Sequence, residues 1–139
     1  MDTFSIRIAM NSEIDQLDKL EKHFAWEEIQ KMVGEGKYYL AFNNNIIVGW
    51  LRYGLFWDHI PFMNKLFLVE EYRGKGIGTR LVKYWEAEMR ILGHKSTMTS
   101  TQVDESAQHF YRKMGYLDIG GFTYPEQALE LMMLKRLEE

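Results

Sequence analysis

Val69-Glu70-Glu71-Tyr72-Arg73-Gly74-Lys75-Gly76-Ile77-Gly78 decides how this chain is read. It follows a strand-like run, Phe62 to Val69, and opens a long amphipathic helix with Ile77, Leu81, Val82, Trp85, Met89 and Leu92 on one face. Gly93 is placed to end that helix. The first N–H groups of a helix have no partner inside it and sit at the positive end of its dipole, which suits phosphate. Glycine lets the backbone approach such an anion with no Cβ in the way. Arg73, Lys75, Arg80 and Lys83 add positive charge, and no acid lies among them between 73 and 83. A tight turn for close helix–sheet packing, with the basic side chains merely solvated, is the competing reading of the same residues.

Other phosphate motifs fit poorly. A Walker loop needs a glycine five residues before Gly74-Lys75, where Val69 stands, and the dinucleotide fingerprint needs a third glycine where Thr79 stands.

Working outward, Phe4, Ile6 and Ile8 alternate with polar residues as in a half-buried strand. Asn11-Ser12, with Asp15 three residues after Ser12, is expected to cap a helix carrying Ile14, Leu17, Leu20 and Phe24. A second helix is expected from Trp26 to Val33. Strands are expected over Tyr38 to Phe42 and Ile46 to Leu55, joined at Asn43-Asn44-Asn45. Beyond the long helix come a strand from Lys95 to Thr101 and a helix capped by Asp104 with Ala107, Phe110, Tyr111 and Met114 on one face. Strands over Tyr116 to Phe122 and Ala128 to Leu137 follow. The order β-α-α-β-β-β-α-β-α-β-β is α/β, with a central sheet covered by helices.

At 139 residues the chain is expected to form one domain, 1–139, because two separate cores would each be small. Its 17 basic and 20 acidic side chains give a net charge of -3, so nucleic acid is not the expected partner. Apolar runs such as Ile46 to Leu51 are too short to span a bilayer, and the first ten residues do not resemble a signal peptide. A cytoplasmic protein without a membrane partner is expected. Cysteine is absent, which removes thiol nucleophiles and Cys-ligated metal, and the histidines lack metal-ligand spacing, so no metal site is expected.

Two motifs together resemble the GNAT superfamily of acyl-CoA-dependent N-acyltransferases. The first is Arg73-Gly74-Lys75-Gly76-Ile77-Gly78 after Leu68-Val69, against the family's Arg/Gln-x-x-Gly-x-Gly/Ala. The second is Ala107-Gln108-His109-Phe110-Tyr111 followed by Gly115-Tyr116, against Ala-x-x-Phe-Tyr and Gly-Phe/Tyr. The element order matches along essentially the whole chain. The resemblance implies a mixed, mostly antiparallel sheet of about seven strands with helices on both faces. It implies acetyl-CoA as co-substrate, with the strand ending at Val69 bulged and splayed from strand 95–101. The pantetheine arm would lie along Phe67, Leu68 and Val69, and the backbone of Gly74, Lys75, Gly76, Ile77, Gly78 and Thr79, with Arg73, would hold the pyrophosphate. Asp104 stands where the family has a helix-start Asn; it can cap the helix but cannot donate as an amide would.

For the chemistry, the resemblance implies direct attack of a primary amine on the thioester in a ternary complex, a route that needs no cysteine. The Val69 N–H would hold the oxyanion and Tyr111 would protonate the leaving thiolate. The base is open. No carboxylate stands at 61–65 or 97–99, and Asp58 and His59 are the nearest titratable groups. The acceptor pocket is expected from the first two helices, the turn at 55–61 and the last hairpin, which supply Trp26, Tyr38, Phe56, Trp57, Asp58, His59, Phe122 and Tyr124. The partner is then a small-molecule amine or a protein amine, and homodimerisation stays open. The alternative function is an acyl-CoA-binding sensor or interaction module on the same fold, without efficient catalysis; a phosphate-binding or interaction domain unrelated to CoA would require both motifs to be accidental.

Overall fold

The hydrophobic spacing resolves into strands and helices in the expected order. A computed structural model describes residues 1–137. The elements are β1 (Phe4–Ile8), α1 (Ile14–Leu20), α2 (Trp26–Gly34), β2 (Tyr38–Asn43), β3 (Ile46–Phe56), β4 (Ile60–Leu68), α3 (Ile77–Ile91), β5 (Ser96–Gln102), α4 (Ala107–Lys113), β6 (Leu117–Phe122) and β7 (Glu130–Arg136). The seven strands form one mixed sheet in the order β1-β2-β3-β4-β5-β7-β6. The pairs β1–β2, β2–β3, β5–β7 and β6–β7 are antiparallel, and β4–β5 is parallel. By packing, the chain divides into two compact units, Met1–Tyr53 with Lys65–Trp85, and Gly54–Asn64 with the chain from Glu86 onward.

In the first unit all six residues of β2 are buried, so this strand reads as an apolar run without alternation. Ile14 and Leu17 of α1, and Ile29 and Val33 of α2, pack with Leu40 and Trp50. Helix spacing puts each of those pairs on one face. The expected cap at Asn11-Ser12 is corrected. A 3-10 turn over Asn11–Glu13 precedes α1, and the Glu13 carboxylate accepts the Met10 N–H at 2.8 Å. Arg7 grips the same carboxylate with both terminal nitrogens, each at 2.9 Å. The strand-borne guanidinium selects Glu13 over the expected capping hydroxyl, and Ser12 donates its own hydroxyl to Glu13 at 2.9 Å.

Along α3, Ile77, Leu81, Val82, Trp85 and Met89 are buried as expected, but Leu92 is 64% exposed. The helix ends before it: Gly93 takes a φ of 93°, and His94 N–H returns to the Met89 carbonyl at 3.0 Å, a glycine-type stop.

In the second unit β5 pairs with β7 from Ser96↔Arg136 to Gln102↔Glu130. Tyr116 is buried, sharing a hydrogen bond with Thr97 Oγ1 at 2.9 Å and donating to Glu86 Oε2 at 2.8 Å. Lys135 Nζ holds the other Glu86 oxygen at 2.9 Å. The expected Asp104 cap is also corrected. Helix α4 starts at Ala107, Ser106 occupies the N-cap, and no side chain caps it. Asp104 is an exposed turn residue, because Glu105 and Gln108 tie the turn down. Glu105 accepts the Gln102 N–H at 2.9 Å, and Gln108 Nε2 donates to the Val103 and Glu105 carbonyls at 2.6 and 2.8 Å.

Candidate active site

In the first unit, the turn into α3 has the geometry an anion cradle requires. Gly74 and Gly76 adopt φ of 74° and 82°, a region L side chains rarely enter. No heavy atom lies within 4 Å of where a Cβ would stand at either, so the backbone face is bare. The first helical bond is Arg80 N–H to the Gly76 carbonyl at 3.1 Å, and the amides ahead of it have no partner one turn back in the helix. Ile77, Gly78 and Thr79 therefore stand in the first turn of α3 with no helical acceptor for their amides. Arg73 Nε donates to the Leu68 carbonyl at 3.0 Å and its guanidinium lies over Phe67, while Lys75 lies over Tyr72. These two cations stay with the turn. Arg80 and Lys83 instead line, with Ile6 and Tyr84, a cavity of about 440 Å³.

Ahead of the turn, β4 crowds β3. A Cβ on Gly49 would collide with Leu68 Cδ2 and lie 2.7 Å from the Phe67 carbonyl oxygen, so only glycine admits this approach. The Val69 N–H, expected to hold the oxyanion, donates to the Val48 carbonyl at 2.8 Å. That amide is committed to β3.

The carboxylate that the sequence reading missed is Glu21, just after α1. It is buried and binds Lys65 Nζ at 2.7 Å, Tyr38 OH at 2.8 Å and Arg52 Nε at 3.2 Å. Burial raises its pKa, but the Lys65 and Tyr38 hydrogen bonds and the Lys65 and Arg52 charges outweigh it, and the net direction is down. A general base works best with a pKa near the operating pH, so Glu21 is an anchor. Tyr38, one of the expected acceptor-pocket aromatics, is a core residue of this anchor, and Trp26 is held at the surface by Asp15 at 2.8 Å.

In the second unit, Tyr111 is buried on α4. Burial pushes its pKa up, a hydrogen bond with Thr99 opposes this, and the charge of Glu105 adds to the rise; the net direction is up. A phenol so placed keeps its proton at neutral pH and can donate it. Thr99 Oγ1 also donates to the Met63 carbonyl at 3.1 Å, beside the parallel pairs Phe62↔Met98 and Met63↔Thr99.

Asp58 and His59 stand at the tip of the β3–β4 hairpin, both exposed. Trp57 and Asp58 take φ of 53° and 66°, the two left-handed positions of a two-residue hairpin turn. His59 Nδ1 lies 2.7 Å from the Trp57 carbonyl. The stem of this hairpin opens onto a cavity of about 380 Å³. Leu55, Phe56 and Phe62 line it from the stem, and Phe122 and Met132 from β6 and β7. Asn64 and Ser100 are its polar lining. Of the aromatics expected for an acceptor pocket, Phe56 and Phe122 line this cavity, while Trp57 and Tyr124 are exposed and do not. Among the described residues no three His, Cys, Asp or Glu side chains could hold a metal ion, and no helix is long and apolar enough to cross a membrane.

A family model described as the acetyltransferase (GNAT) family matches residues 3–116. A GNAT-family acetyltransferase from Streptococcus pneumoniae superposes with a TM-score of 0.85 at 18% identity, covering 98% of this chain and 100% of that one. Ard1 from Thermoplasma volcanium gives 0.81 at 16%, covering 98% and 99%. Naa50 from Arabidopsis thaliana, in complex with a bisubstrate analogue CoA-Ac-MVNAL, gives 0.75 at 18%, covering 95% and 97%. At such identities these likenesses establish the fold alone. A search of curated proteins gives no match.

Proposed function

The chain belongs to the GNAT acetyltransferase family, and on that premise we propose that it moves an acetyl group from acetyl-CoA to a primary amine by direct attack in a ternary complex, residues 1–139 acting as one domain. The observation that carries this reading is the bare glycine turn, with Gly74 and Gly76 at positive φ and open space where each Cβ would be. A pyrophosphate needs that access to backbone amides at a helix start. The CoA-peptide conjugate on Naa50 supports acetyl-CoA as donor and keeps peptide amines among the acceptors.

The chain's residues then divide the work. The amides of Gly74 to Thr79 hold the pyrophosphate with Arg73 and Lys75, and the backbone of Phe67 to Val69 holds the pantetheine arm. Because the Val69 N–H is spent on Val48, the oxyanion falls to the Leu68 N–H, which strand alternation turns to the opposite edge of β4. The amine nitrogen gives up a proton to water and bonds to the carbonyl carbon; Asp58 and His59 precede β4, whose nine extended residues separate them from Leu68, too far to take that proton directly. The carbon–sulfur bond breaks, and the thiolate takes the Tyr111 proton. The absence of cysteine agrees with a path that has no acyl-cysteine.

Thermal melts with acetyl-CoA and with CoA test the binding half, since a ligand selective for the native state raises the melting temperature. Thiol release across a panel of amines tests the transfer. No shift at millimolar ligand would refute CoA binding; a shift without thiol release from any amine would identify an acyl-CoA sensor instead.

A further inference from the structure

The cavity at the stem of the β3–β4 hairpin has a lining whose chemistry selects its occupant. Five of its side chains are apolar, and the remaining two, Asn64 and Ser100, are neutral. No charged side chain lines it. Phe56 and Phe62 stack with centroids 6.0 Å apart and planes at 25°. Phe122 is 50% exposed and Leu55 43%, so the wall leaves large apolar groups against water. The volume, about 380 Å³, lies at the small end of ligand sites, which run from about 300 to 1,000 Å³.

Position along β5 ties the cavity to the proposed chemistry. Side chains alternate across a strand, so Thr99, whose hydroxyl bears on the Tyr111 phenol, and Ser100, which lines the cavity, lie on opposite faces of β5 one residue apart. Asn64 follows Met63, the residue paired with Thr99. The charged groups of the surrounding elements stay outside: Asp58 and His59 are at the hairpin tip, and Glu130 lies two residues before Met132 on β7, on the same face but not in the lining.

Resting on the acetyltransferase reading above, we propose that this cavity seats the acceptor, and that the acceptor is a primary amine whose neighbouring substituent is apolar, an aryl or branched alkyl group. Such a group covers the Phe and Met wall, while Asn64 and Ser100 offer neutral hydrogen-bonding groups. A polyamine would set a second ammonium against phenyl rings with no carboxylate in the wall to replace its hydration. The same apolar-substituted amine occurs in small arylalkylamines and at the α-amine of a peptide beginning with Leu, Met or Phe.

The experiment measures thiol release from acetyl-CoA with 2-phenylethylamine, a Leu-initiated pentapeptide, the same pentapeptide beginning with Asp, ethanolamine and spermidine. One or both apolar amines should exceed ethanolamine, spermidine and the Asp peptide in kcat/KM by about tenfold or more, the scale on which apolar pockets discriminate; which of the two is faster identifies the source. Phe122→Asp, at a half-exposed position, should raise the apolar amine's KM while leaving stabilisation by CoA intact. Preference for spermidine, ethanolamine or the Asp peptide, equal rates across the panel, or an unchanged KM in Phe122→Asp overturns the inference and leaves acetyl transfer standing. Absence of thiol release with every amine overturns both.

Discussion

Gly49→Ala probes the contact that shapes the end of β4. The new methyl would sit 2.7 Å from the Phe67 carbonyl oxygen, about 0.7 Å inside ordinary van der Waals contact, and would also meet Leu68 Cδ2. The leucine tip can rotate away, but the carbonyl is backbone and moves only if β4 moves. Replacing glycine by alanine in a strand should return about 0.5–1 kcal/mol of backbone entropy, whereas overpacking a filled site costs about 1–3 kcal/mol. Weakening the adjacent Val69–Val48 hydrogen bond adds about 0.5–1.5 kcal/mol. The balance is a net loss of about 1–3 kcal/mol, a fall of roughly 3–9 °C in melting temperature for a chain of this size. Phe67 and Leu68 are also where the pantetheine arm is proposed to bond, so CoA affinity should fall by about fivefold to tenfold, the equivalent of one misaligned hydrogen bond. Thermal melts across a CoA titration read both effects at once. Gly54→Ala is the control on the same strand. Its Cβ would meet only the side-chain Nδ2 of Asn64, at 3.1 Å, which can swing aside, so stability and CoA affinity should hold. If Gly49→Ala melts at or above the wild-type temperature with unchanged CoA affinity, β4 is not braced in this way.

Tyr111→Phe should lower kcat by about tenfold to 100-fold, toward the modest end of general acid catalysis, because a thiol leaving group with a pKa near 8.5 needs little help at neutral pH. Stabilisation by CoA should persist, and unchanged thiol release would place the acid elsewhere. Glu13→Gln tests linkage. The Arg7 hydrogen bonds, with those of Met10 and Ser12, hold the Glu13 carboxyl down to about 2 from 4.5. A depressed pKa stabilises the fold fully above the unfolded value and loses that stabilisation as pH falls through about 2. The Arg7 side chain is 41% exposed, so screening reduces the contribution to about 1–2 kcal/mol. Urea melts should show wild type and Glu13→Gln separated at pH 7 and converging between pH 4.5 and 2; a constant gap rules the linkage out. Tyr116→Phe removes a buried hydroxyl from Thr97 and Glu86 and should cost about 1.5–3 kcal/mol in urea with an unchanged m-value; a loss below about 0.5 kcal/mol contradicts the network.

What could be read from the sequence was what neighbours in the chain decide. The buried face of α3 follows from spacing alone, and the turn at Gly74 and Gly76 follows from glycine's access to positive φ. What escaped was decided by residues distant in sequence. Ser12 looked like the cap before α1, but Arg7 on β1 forks onto Glu13 and draws that carboxylate to the Met10 N–H. Asp104 looked like the cap of α4, but Gln108 and Glu105 satisfy the turn's backbone first. Glu21 carries no local mark of burial, since its three partners sit on β2, β3 and β4. The cavity is hidden in the same way: Ser100 meets Met132 only through the β5–β7 register, and Phe62 comes alongside β5, opposite Met98, only through the parallel β4–β5 pairs. The glycine turn is therefore set locally, while the walls proposed to choose an acceptor are assembled by strand pairing. With the acceptor seated in the cavity as proposed, substitutions at Phe122 and Met132 should change substrate preference while leaving the glycine turn and its amides in place.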